Sequence, residues 1–263
     1  MVYADLHVHT TASDGTLAPS AVPGAAADAD LGAVAVTDHD TVHEDFEAPV
    51  VSIDGVEVIC GVELRVEAAA GRVDLLGYGL TPTPDLRAEL DRLGRDRRER
   101  GEEMVAATEA ELGISLDVTV DRSFGRPHLA RAIAAHPAAP YDEAGAFEHL
   151  IGVDGPCYVA RDVTAFDRGA TLLADACGLV SLAHPLRYDD TGAALSLTAD
   201  DRIGGVERAY PYDRTVTLDR VDRAIERHDL VATGGSDAHG AALGARGLDR
   251  DDYQTVAARL GQS

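Results

Sequence analysis

The sequence predicts an α/β fold in which helices cover a largely parallel β-sheet. Two observations carry this prediction: short apolar segments alternate with helix-like segments, and polar side chains follow the ends of the apolar segments. A chain of 263 residues suits one α/β barrel or two smaller domains, and its length does not choose between them.

Seven segments have the length and apolar character of buried strands. They are 2–8, 33–37, 56–64, 73–80, 179–183, 205–209 and 230–233. Helix-like segments occupy 18–29, 84–112, 127–136, 141–151, 164–177 and 218–227. The alternation stops at 81–160, where TPTPDL opens a long charged helix and two more helices follow. We therefore expect a barrel formed by 1–80 and 161–263 that carries a mainly helical insertion at 81–160.

The arginine-rich run at 95–100 in the long helix has two interpretations. A cluster of arginines is typical of nucleic-acid-binding surfaces. The same arginines are also at helical spacing from acidic residues, which suits ion pairs on a solvated helix face. The acidic residues are Asp96, Glu99, Glu102 and Glu103. We favour the solvated face.

The charge balance is strongly acidic. Asp and Glu number 46 against 23 Lys and Arg, the formal net charge is −23, and the chain contains no lysine. This pattern suggests adaptation to a salt-rich cytoplasm, where screening weakens self-repulsion, although an acidic protein of a mesophile is the alternative. An acidic chain argues against an extended nucleic-acid or membrane surface, but it leaves room for a small cationic pocket. The sequence does not indicate an oligomeric state.

The three cysteines and the N-terminus suggest an intracellular protein. Cys60, Cys157 and Cys177 are far apart and form no CxxC pair, which favours buried free thiols in a reducing compartment. The first ten residues, MVYADLHVHT, do not resemble a signal peptide, and no segment has the length of a membrane span. We expect a cytoplasmic location.

Histidines and carboxylates recur where the predicted strands end. His7 and His9 are two residues apart, so a strand would place both on one face. Further groups follow in the turn after this strand and at four other strand ends: Asp14, Asp38, His39, Asp40, Glu63, His184, Asp237 and His239. His128 precedes a helix in FGRPHLA. In a parallel barrel the carboxyl ends of the strands meet on one face, which would bring these groups together.

This residue set indicates a metal site. Taken singly, each residue has a structural explanation, such as a hydrogen-bonded histidine or a helix cap. Together, histidines and carboxylates without thiolates suit Mn²⁺, Fe²⁺ or Zn²⁺. The six histidines together with Asp14, Glu63 and Asp237 make nine possible ligands, which exceeds the needs of one ion. Two or three clustered ions are therefore expected, with Glu63 as a natural bridge.

The motifs resemble those of the polymerase-and-histidinol-phosphatase (PHP) family. In chain order they are DLHVHTTASDG, TDHDT, GVE, RPHLA, AHP and GGSDAHG. VDLLGYGL, AELGI, FGRPHLARAI and GPCYVAR further resemble the RNase AM-like branch, which dephosphorylates nucleoside 3′,5′-bisphosphates and trims RNA from its 5′ end. The resemblance implies a distorted (β/α)7 barrel.

The resemblance also implies a site with three divalent ions, most often Mn²⁺, with Fe²⁺ or Zn²⁺ as alternatives. One ion would bind His7, His9, Glu63 and Asp237. A second would share Glu63 and add His128 and His184, and a third would bind Asp14, His39 and His239. Asp38 is similar to a carboxylate that orients a ligand histidine.

Such ions would activate a bridging hydroxide for in-line attack on phosphorus, so no protein nucleophile is required. The group that protonates the leaving oxygen stays open between a metal-bound water and a metal-free histidine. Arginine suits phosphate recognition. Arg126, two residues before His128, and Arg161, which closes GPCYVAR, are the expected substrate contacts, with Arg65 a weaker candidate.

Three functions follow. The first is a phosphoesterase acting on nucleotides or RNA 5′ ends, either as a nucleoside 3′,5′-bisphosphate 3′-phosphatase or as a 5′–3′ exoribonuclease. The second is a phosphatase of histidinol phosphate or another small metabolite. The third is a PHP domain that binds without catalysis. The insertion motifs favour the first.

Overall fold

The computed structural model describes residues 1–43, 48–69, 71–121 and 124–261. Two compact units are present, one formed by Met1–Ala88 with Val163–Ser263 and the other by Glu89–Asp162. Both boundaries lie somewhat further along the chain than the expected 80/81 and 160/161. A long helix, Pro84–Leu112, runs across the first boundary.

The first unit is built on a nine-stranded sheet. Its strands are β1 Ala4–Val8, β2 Ala33–Val36, β3 Val50–Ile53, β4 Val56–Ala68, β5 Gly71–Tyr78, β6 Thr164–Ala165, β7 Leu179–Leu182, β8 Gly205–Ala209 and β9 Val231–Gly234. The main path runs β1-β2-β4-β5-β7-β8-β9, while β3 and β6 each pair with β4. The seven strands of this path are the seven that the sequence predicts.

The sheet is not as parallel as predicted. β5 runs antiparallel to both of its neighbours, β4 and β7, whereas β1, β2 and β4 are mutually parallel, as are β7, β8 and β9. The cause is local, because β4 continues to Ala68 and a short connection leads directly into Gly71, which has a φ of +87°. A connection this short joins antiparallel strands, since parallel strands need a crossover.

The two ends of the strand path meet. Val8 and Ala238 form a parallel bridge, in which the N–H of His9 donates to the carbonyl of Ala238 at 2.9 Å. The N–H of Ala238 donates in turn to the carbonyl of His7 at 3.3 Å. This contact links the start of the path to the segment after its last strand, so the first unit forms a distorted seven-stranded barrel.

Eight α-helices are found in the described residues. They are α1 Val22–Asp28, α2 Pro84–Leu112, α3 Arg126–Ala135, α4 Glu143–Ala146, α5 Phe166–Ala176, α6 Thr191–Ser196, α7 Asp219–His228 and α8 Arg250–Arg259. The predicted helix 141–151 is α4 followed by a π-helical turn at Phe147–Ile151, and α6 and α8 are additions to the prediction. None of the described helices is long and apolar enough to cross a membrane.

Local signals explain where α2 starts and stops. The Thr83 hydroxyl accepts a hydrogen bond from the N–H of Leu86 at 3.2 Å. Pro84 occupies the first helical position and Asp85 lies in the first turn, both of which suit a helix N-terminus. Gly113 follows the last residue with a φ of +66°, the usual C-terminal stop.

The core of the barrel packs apolar side chains from several strands against helix α8. Leu6, Ile59, Leu76 and Tyr78 are fully buried there. Transferring such side chains out of water supplies about 1.5–3 kcal/mol each. Two of the three cysteines, Cys60 and Cys157, are buried as expected, while Cys177 is half-buried, and none forms a disulfide.

The second unit has its own apolar core, in which Met104 of α2 packs with Phe124, Leu129, Ile133 and Ile151. The arginine-rich run of α2 is only partly the solvated face that the sequence suggests. Arg98 does approach Glu102 one turn on, at 3.9 Å. In contrast, Arg97 and Arg100 are buried, because long arginine stems cover apolar surface.

Candidate metal centre

The first strand carries two histidines into the interior of the first unit. His7 lies in β1 and His9 follows its last residue, and since alternate side chains of an extended segment leave on the same face, the two point together. Both are fully buried, and their ring centroids are 5.1 Å apart.

The carboxylate of Glu63 lies among histidines from three segments of the barrel. Its Oε2 atom is 3.5 Å from His7 Nε2 and 3.4 Å from His9 Nε2. The same oxygen is 2.8 Å from His39 Nδ1. The other oxygen, Oε1, is 3.1 Å from His184 Nε2. Glu63 therefore occupies the central position that a bridging carboxylate would need.

Glu63 is not at the end of its strand, as the sequence predicts, but inside β4. The strand continues to Ala68 because its second half pairs with β5. The position still matches the other strand ends, since His39, just beyond β2, forms a parallel bridge with Glu63.

Asp14, His39 and His239 come from three loops and lie beside His9. His239 Nε2 is 3.3 Å from Asp14 Oδ1, and His39 Nε2 is 3.8 Å from Asp14 Oδ2. The rings of His9 and His239 stack with centroids 4.4 Å apart. One ligand atom from each of these four residues lies within 4.8 Å of all the others.

Asp237 completes the cluster from the loop after β9. Its φ of +52° is in the left-handed region, which aspartate tolerates better than most residues. Its Oδ1 atom is 3.1 Å from His9 Nε2 and 3.5 Å from His7 Nε2. Its Oδ2 atom accepts hydrogen bonds from Tyr210 Oη at 2.7 Å and Arg187 Nη1 at 3.2 Å. The two oxygens thus face different partners.

Glu207 of β8 contacts the cluster but was not among the residues predicted from the sequence. It is fully buried and accepts from His7 Nδ1 at 3.0 Å and from the N–H of His184 at 2.7 Å. Since a carboxylate only accepts, Nδ1 of His7 carries a proton, and Nε2 faces Glu63 and Asp237. The sequence feature that could have indicated its role is a glutamate inside the short apolar strand GVERA.

Asp74 was also missed, for a topological reason. The predicted ligands follow the carboxyl ends of parallel strands, but β5 is antiparallel and brings residues near its start to the same edge. Asp74 Oδ2 lies 3.7 Å from His184 Nε2, and Asp74 groups with Glu63 and His184 as a third set of possible ligands. Its two oxygens also accept from Nε and Nη2 of Arg65, each at 2.7 Å.

The resemblance implies that Asp38 orients a ligand histidine. In the structure, its hydrogen bonds are to other residues. Its carboxylate accepts from the N–H and the hydroxyl of Thr10, both at 2.7 Å, from the Ser13 hydroxyl, and from His43 Nε2. Thr10 follows His9 and Ser13 precedes Asp14. Asp38 therefore anchors the turn between two predicted ligands instead of orienting an imidazole directly.

The remaining predicted residues belong to the second unit. His128 lies in the first turn of α3, where its Nδ1 atom accepts from the N–H of Gly125 at 3.0 Å. Arg126 lies over the rings of Phe147 and Tyr158, 5.7 and 5.6 Å from their centroids. Among the residues described, its contacts include no carboxylate. Arg161 is half-buried.

The electrostatics of the first-unit cluster favour cations. Burial lowers the pKa of His39, but the charge and hydrogen bond of Glu63, together with the charges of Asp14 and Asp74, raise that pKa to about 9. Burial raises the pKa of Asp237, yet the neighbouring His9 and His7 bring it below its usual range. Burial also raises the pKa of Glu63. The charges of His39 and His7 and the hydrogen bonds from His184 and His39 together lower that pKa well below its usual range. The carboxylates are thus held ionised.

The donor set fits divalent metal ions. His7 Nε2 is buried and makes no hydrogen bond, although it lies 3.5 Å from two carboxylate oxygens. Burial lowers the pKa of His7, but the charges of Glu207 and Glu63 together raise it well above its usual value, so this position favours positive charge, which a bound metal ion supplies in place of a proton. Imidazole and carboxylate ligands without thiolate match borderline to hard divalent ions.

Comparison with known proteins identifies the family to which the chain belongs. The PHP domain model matches residues 5–184. A 3′,5′-nucleoside bisphosphate phosphatase of Chromobacterium violaceum is 29% identical over 259 residues, covering 94% of this chain and 90% of the relative. A 5′–3′ exoribonuclease of Haemophilus influenzae is 28% identical, covering 89% of both chains. A solved structure from Bifidobacterium adolescentis shares the fold, with a TM-score of 0.78, 24% identity, and coverage of 98% and 96%.

The chain belongs to the PHP family. It is a metal-dependent hydrolase of phosphate esters, as the family match, the relatives and the His/Asp/Glu clusters together indicate.

Proposed function

We propose that the protein hydrolyses phosphate esters of nucleotides. The preferred substrates are a nucleoside 3′,5′-bisphosphate, from which the 3′-phosphate is removed, or the 5′ end of a short RNA. The observation that carries the proposal is the buried cluster centred on Glu63, in which histidine nitrogens and carboxylate oxygens converge from several strands and loops. The two relatives named above support the nucleotide as substrate, since each matches about nine-tenths of this chain.

The proposed centre holds three divalent ions, with Mn²⁺ as the best cofactor. The first ion takes His7, His9, Glu63 and Asp237, and the third takes Asp14, His39 and His239. The second takes Glu63, His184 and His128. The three sets of ligand atoms in the first unit support more than one ion, because Glu63 and His9 each belong to two of them.

Bound divalent ions supply an acidified water and neutralise phosphoryl oxygens. The chain's own residues prepare this chemistry. Glu207 fixes the tautomer of His7, so that Nε2 presents a lone pair to the centre. Tyr210 and Arg187 hold one oxygen of Asp237, which directs the other toward His7 and His9. Asp38 anchors the turn that carries Asp14.

The substrate contacts proposed in the second unit are Arg126 and Arg161. In a chain with a net charge of −23, carboxylate partners are abundant. The described contacts of Arg126 are nevertheless to the rings of Phe147 and Tyr158 and to the carbonyl of Ile151. Guanidinium groups bind phosphate through paired hydrogen bonds. Arg65 is less suited, since its fork already binds Asp74.

The acidic composition supports a further proposal, that the protein works in a salt-rich cytoplasm. The absence of lysine and the excess of carboxylates suit a solvent in which screening weakens self-repulsion.

The decisive experiment measures phosphate release from adenosine 3′,5′-bisphosphate and from histidinol phosphate, with Mn²⁺ and high KCl. We expect a kcat/KM at least about tenfold higher for the bisphosphate, which is about 1.4 kcal/mol of transition-state preference. Glu63→Ala is the inactive reference, and Glu226→Ala, an exposed residue of α7, is the matched control.

Preference for histidinol phosphate would reject the nucleotide proposal in favour of metabolite chemistry. Turnover of neither substrate by protein with confirmed bound metal would reject it as well, and would favour a binding domain. A positive result makes short 5′-phosphorylated RNA the next substrate.

A further inference from the structure

Arg187 is an exposed arginine at the rim of the Glu63 cluster. It belongs to a 3₁₀ turn at Pro185–Arg187, directly after His184, and its side chain is 53% exposed. Nη1 donates to Asp237 Oδ2 at 3.2 Å and to Tyr210 Oη at 2.9 Å. The guanidinium carbon lies 5.8 Å from the centroid of the Tyr210 ring. A full positive charge thus sits beside a carboxylate that faces the cluster.

The turn that carries Arg187 is held from several sides. His184, which precedes it, has a φ of +27°, a conformation that persists only where surrounding contacts enforce it. The N–H of Leu186 donates to Tyr212 Oη at 3.3 Å, and Arg214 donates to the Leu186 carbonyl at 2.7 Å. The guanidinium therefore projects from a fixed backbone.

The hydrogen bonds of Arg187 leave one edge of the guanidinium available. Within the described chain its contacts use only Nη1, so Nε and Nη2 have no protein acceptor. These two N–H groups form the side-on fork that matches two oxygens of a phosphoryl group. Arg65 is the instructive contrast, because Asp74 already occupies its Nε and Nη2.

A guanidinium in this position opposes cation binding, since it repels divalent ions held by the same carboxylate. The guanidinium is favourable once an anion binds at the site and contacts both the metal ions and the arginine. Tyr210 keeps Nη1 in place through a hydrogen bond and ring contact, and its own hydroxyl donates to Asp237. The two hydrogen bonds at Nη1 therefore fix the orientation of the guanidinium, and with it the direction in which Nε and Nη2 point.

We propose that Arg187 binds the phosphoryl oxygens of the substrate, with Tyr210 as its positioning residue. The inference rests on the proposed function, since it assigns a substrate contact to that same centre. It adds a phosphate ligand from the first unit to the arginines proposed in the second.

The test compares Arg187→Gln with Arg246→Gln in the full chain. Arg246 is an exposed arginine whose only contact in the described residues is a neighbouring carbonyl. Binding of inorganic phosphate to Mn²⁺-loaded protein, and of Mn²⁺ to metal-free protein, is measured by calorimetry. We expect R187Q to weaken phosphate binding at least about tenfold. Its Mn²⁺ affinity should stay equal or rise, because the variant loses a repelling charge while Tyr210 still holds Asp237 Oδ2. Arg246→Gln should leave both constants unchanged.

Tyr210→Phe gives a second reading, because it keeps the ring and removes the hydroxyl. Its phosphate affinity should fall between those of wild type and R187Q, and Arg187→Lys should restore part of the loss. If R187Q lowers Mn²⁺ affinity by as much as phosphate affinity, Arg187 only holds Asp237 and the inference is overturned. Unchanged phosphate binding in R187Q also overturns it.

The experiment separates this inference from the proposed function. Phosphate binding that depends on Arg187 in a protein that turns over no nucleotide would uphold the inference and reject the function. Efficient nucleotide turnover by R187Q with an unchanged KM would do the reverse.

Discussion

Replacing Glu207 with glutamine tests whether a buried carboxylate sets the metal-binding form of His7. Glu207 accepts two hydrogen bonds, from His7 Nδ1 at 3.0 Å and from the N–H of His184 at 2.7 Å. A glutamine of the same size has one accepting oxygen and one donating NH2 group. One of the two buried donors must therefore lose its acceptor, at a cost of about 1–3 kcal/mol.

The consequence depends on which partner faces the NH2 group. If it faces His7, the imidazole must accept at Nδ1 and carry its proton on Nε2, so that Nε2 no longer offers a lone pair. Loss of such an orienting contact typically lowers metal affinity about 10–100-fold, equivalent to about 1.4–2.8 kcal/mol. We expect Glu207→Gln to fall in this range, together with a lower melting temperature.

The assay is a competitive titration of Mn²⁺ against a chelator, combined with thermal unfolding of the metal-free protein. Glu226→Gln, an exposed substitution on α7, controls for the change of charge. Glu207→Leu removes the acceptor of His7 in either orientation, so metal affinity within twofold of wild type in both variants would refute the reasoning about the His7 tautomer, even if the variants were less stable.

Three further predictions concern metal, substrate and salt. Removing divalent ions with a chelator should lower the melting temperature reversibly, because ligands that bind only the folded state stabilise it by about 2.7 kcal/mol at 100 times Kd; an unchanged unfolding curve would argue against the centre. Arg126→Ala should leave metal content intact and raise KM for the bisphosphate, and identical kinetics would remove this residue from the substrate site. The melting temperature should rise with KCl from 0.1 M upward, about where charges roughly 10 Å apart become screened; full stability in dilute buffer would contradict adaptation to salt.

Much of the fold and of the first-unit cluster was accessible from the sequence, for a common reason. His7, His9, Asp14, His39, Asp237 and His239 lie on or just after short apolar strands, and parallel strands bring their carboxyl ends to one edge. The seven strands of the main path are recognisable because burial on both faces leaves near-continuous apolar runs.

The contacts that were not predicted from the sequence depend on strand direction and on long-range strand pairing. Asp74 reaches the cluster from the start of its strand, because the direct connection after β4 reverses the chain. Glu207 and Tyr210 are ordinary residues of a predicted strand and its loop until β8 is placed between β7 and β9. The hydrogen bond from His43 to Asp38 was likewise not predicted, since His43 does not lie at the end of a predicted strand.

The reversed strand β5 also bears on how the barrel assembles. Its pairing with β4, from Gly61 with Tyr78 to Ala68 with Gly71, is local in sequence, whereas the other pairs of the main path join distant segments. Local pairs lose the least chain entropy on closing and tend to form early. We expect Leu75→Ala, in the buried middle of this hairpin, to slow folding more than it speeds unfolding. Two carboxylates of the candidate metal centre, Glu63 and Asp74, would then come together before the histidines of the other segments pack against them.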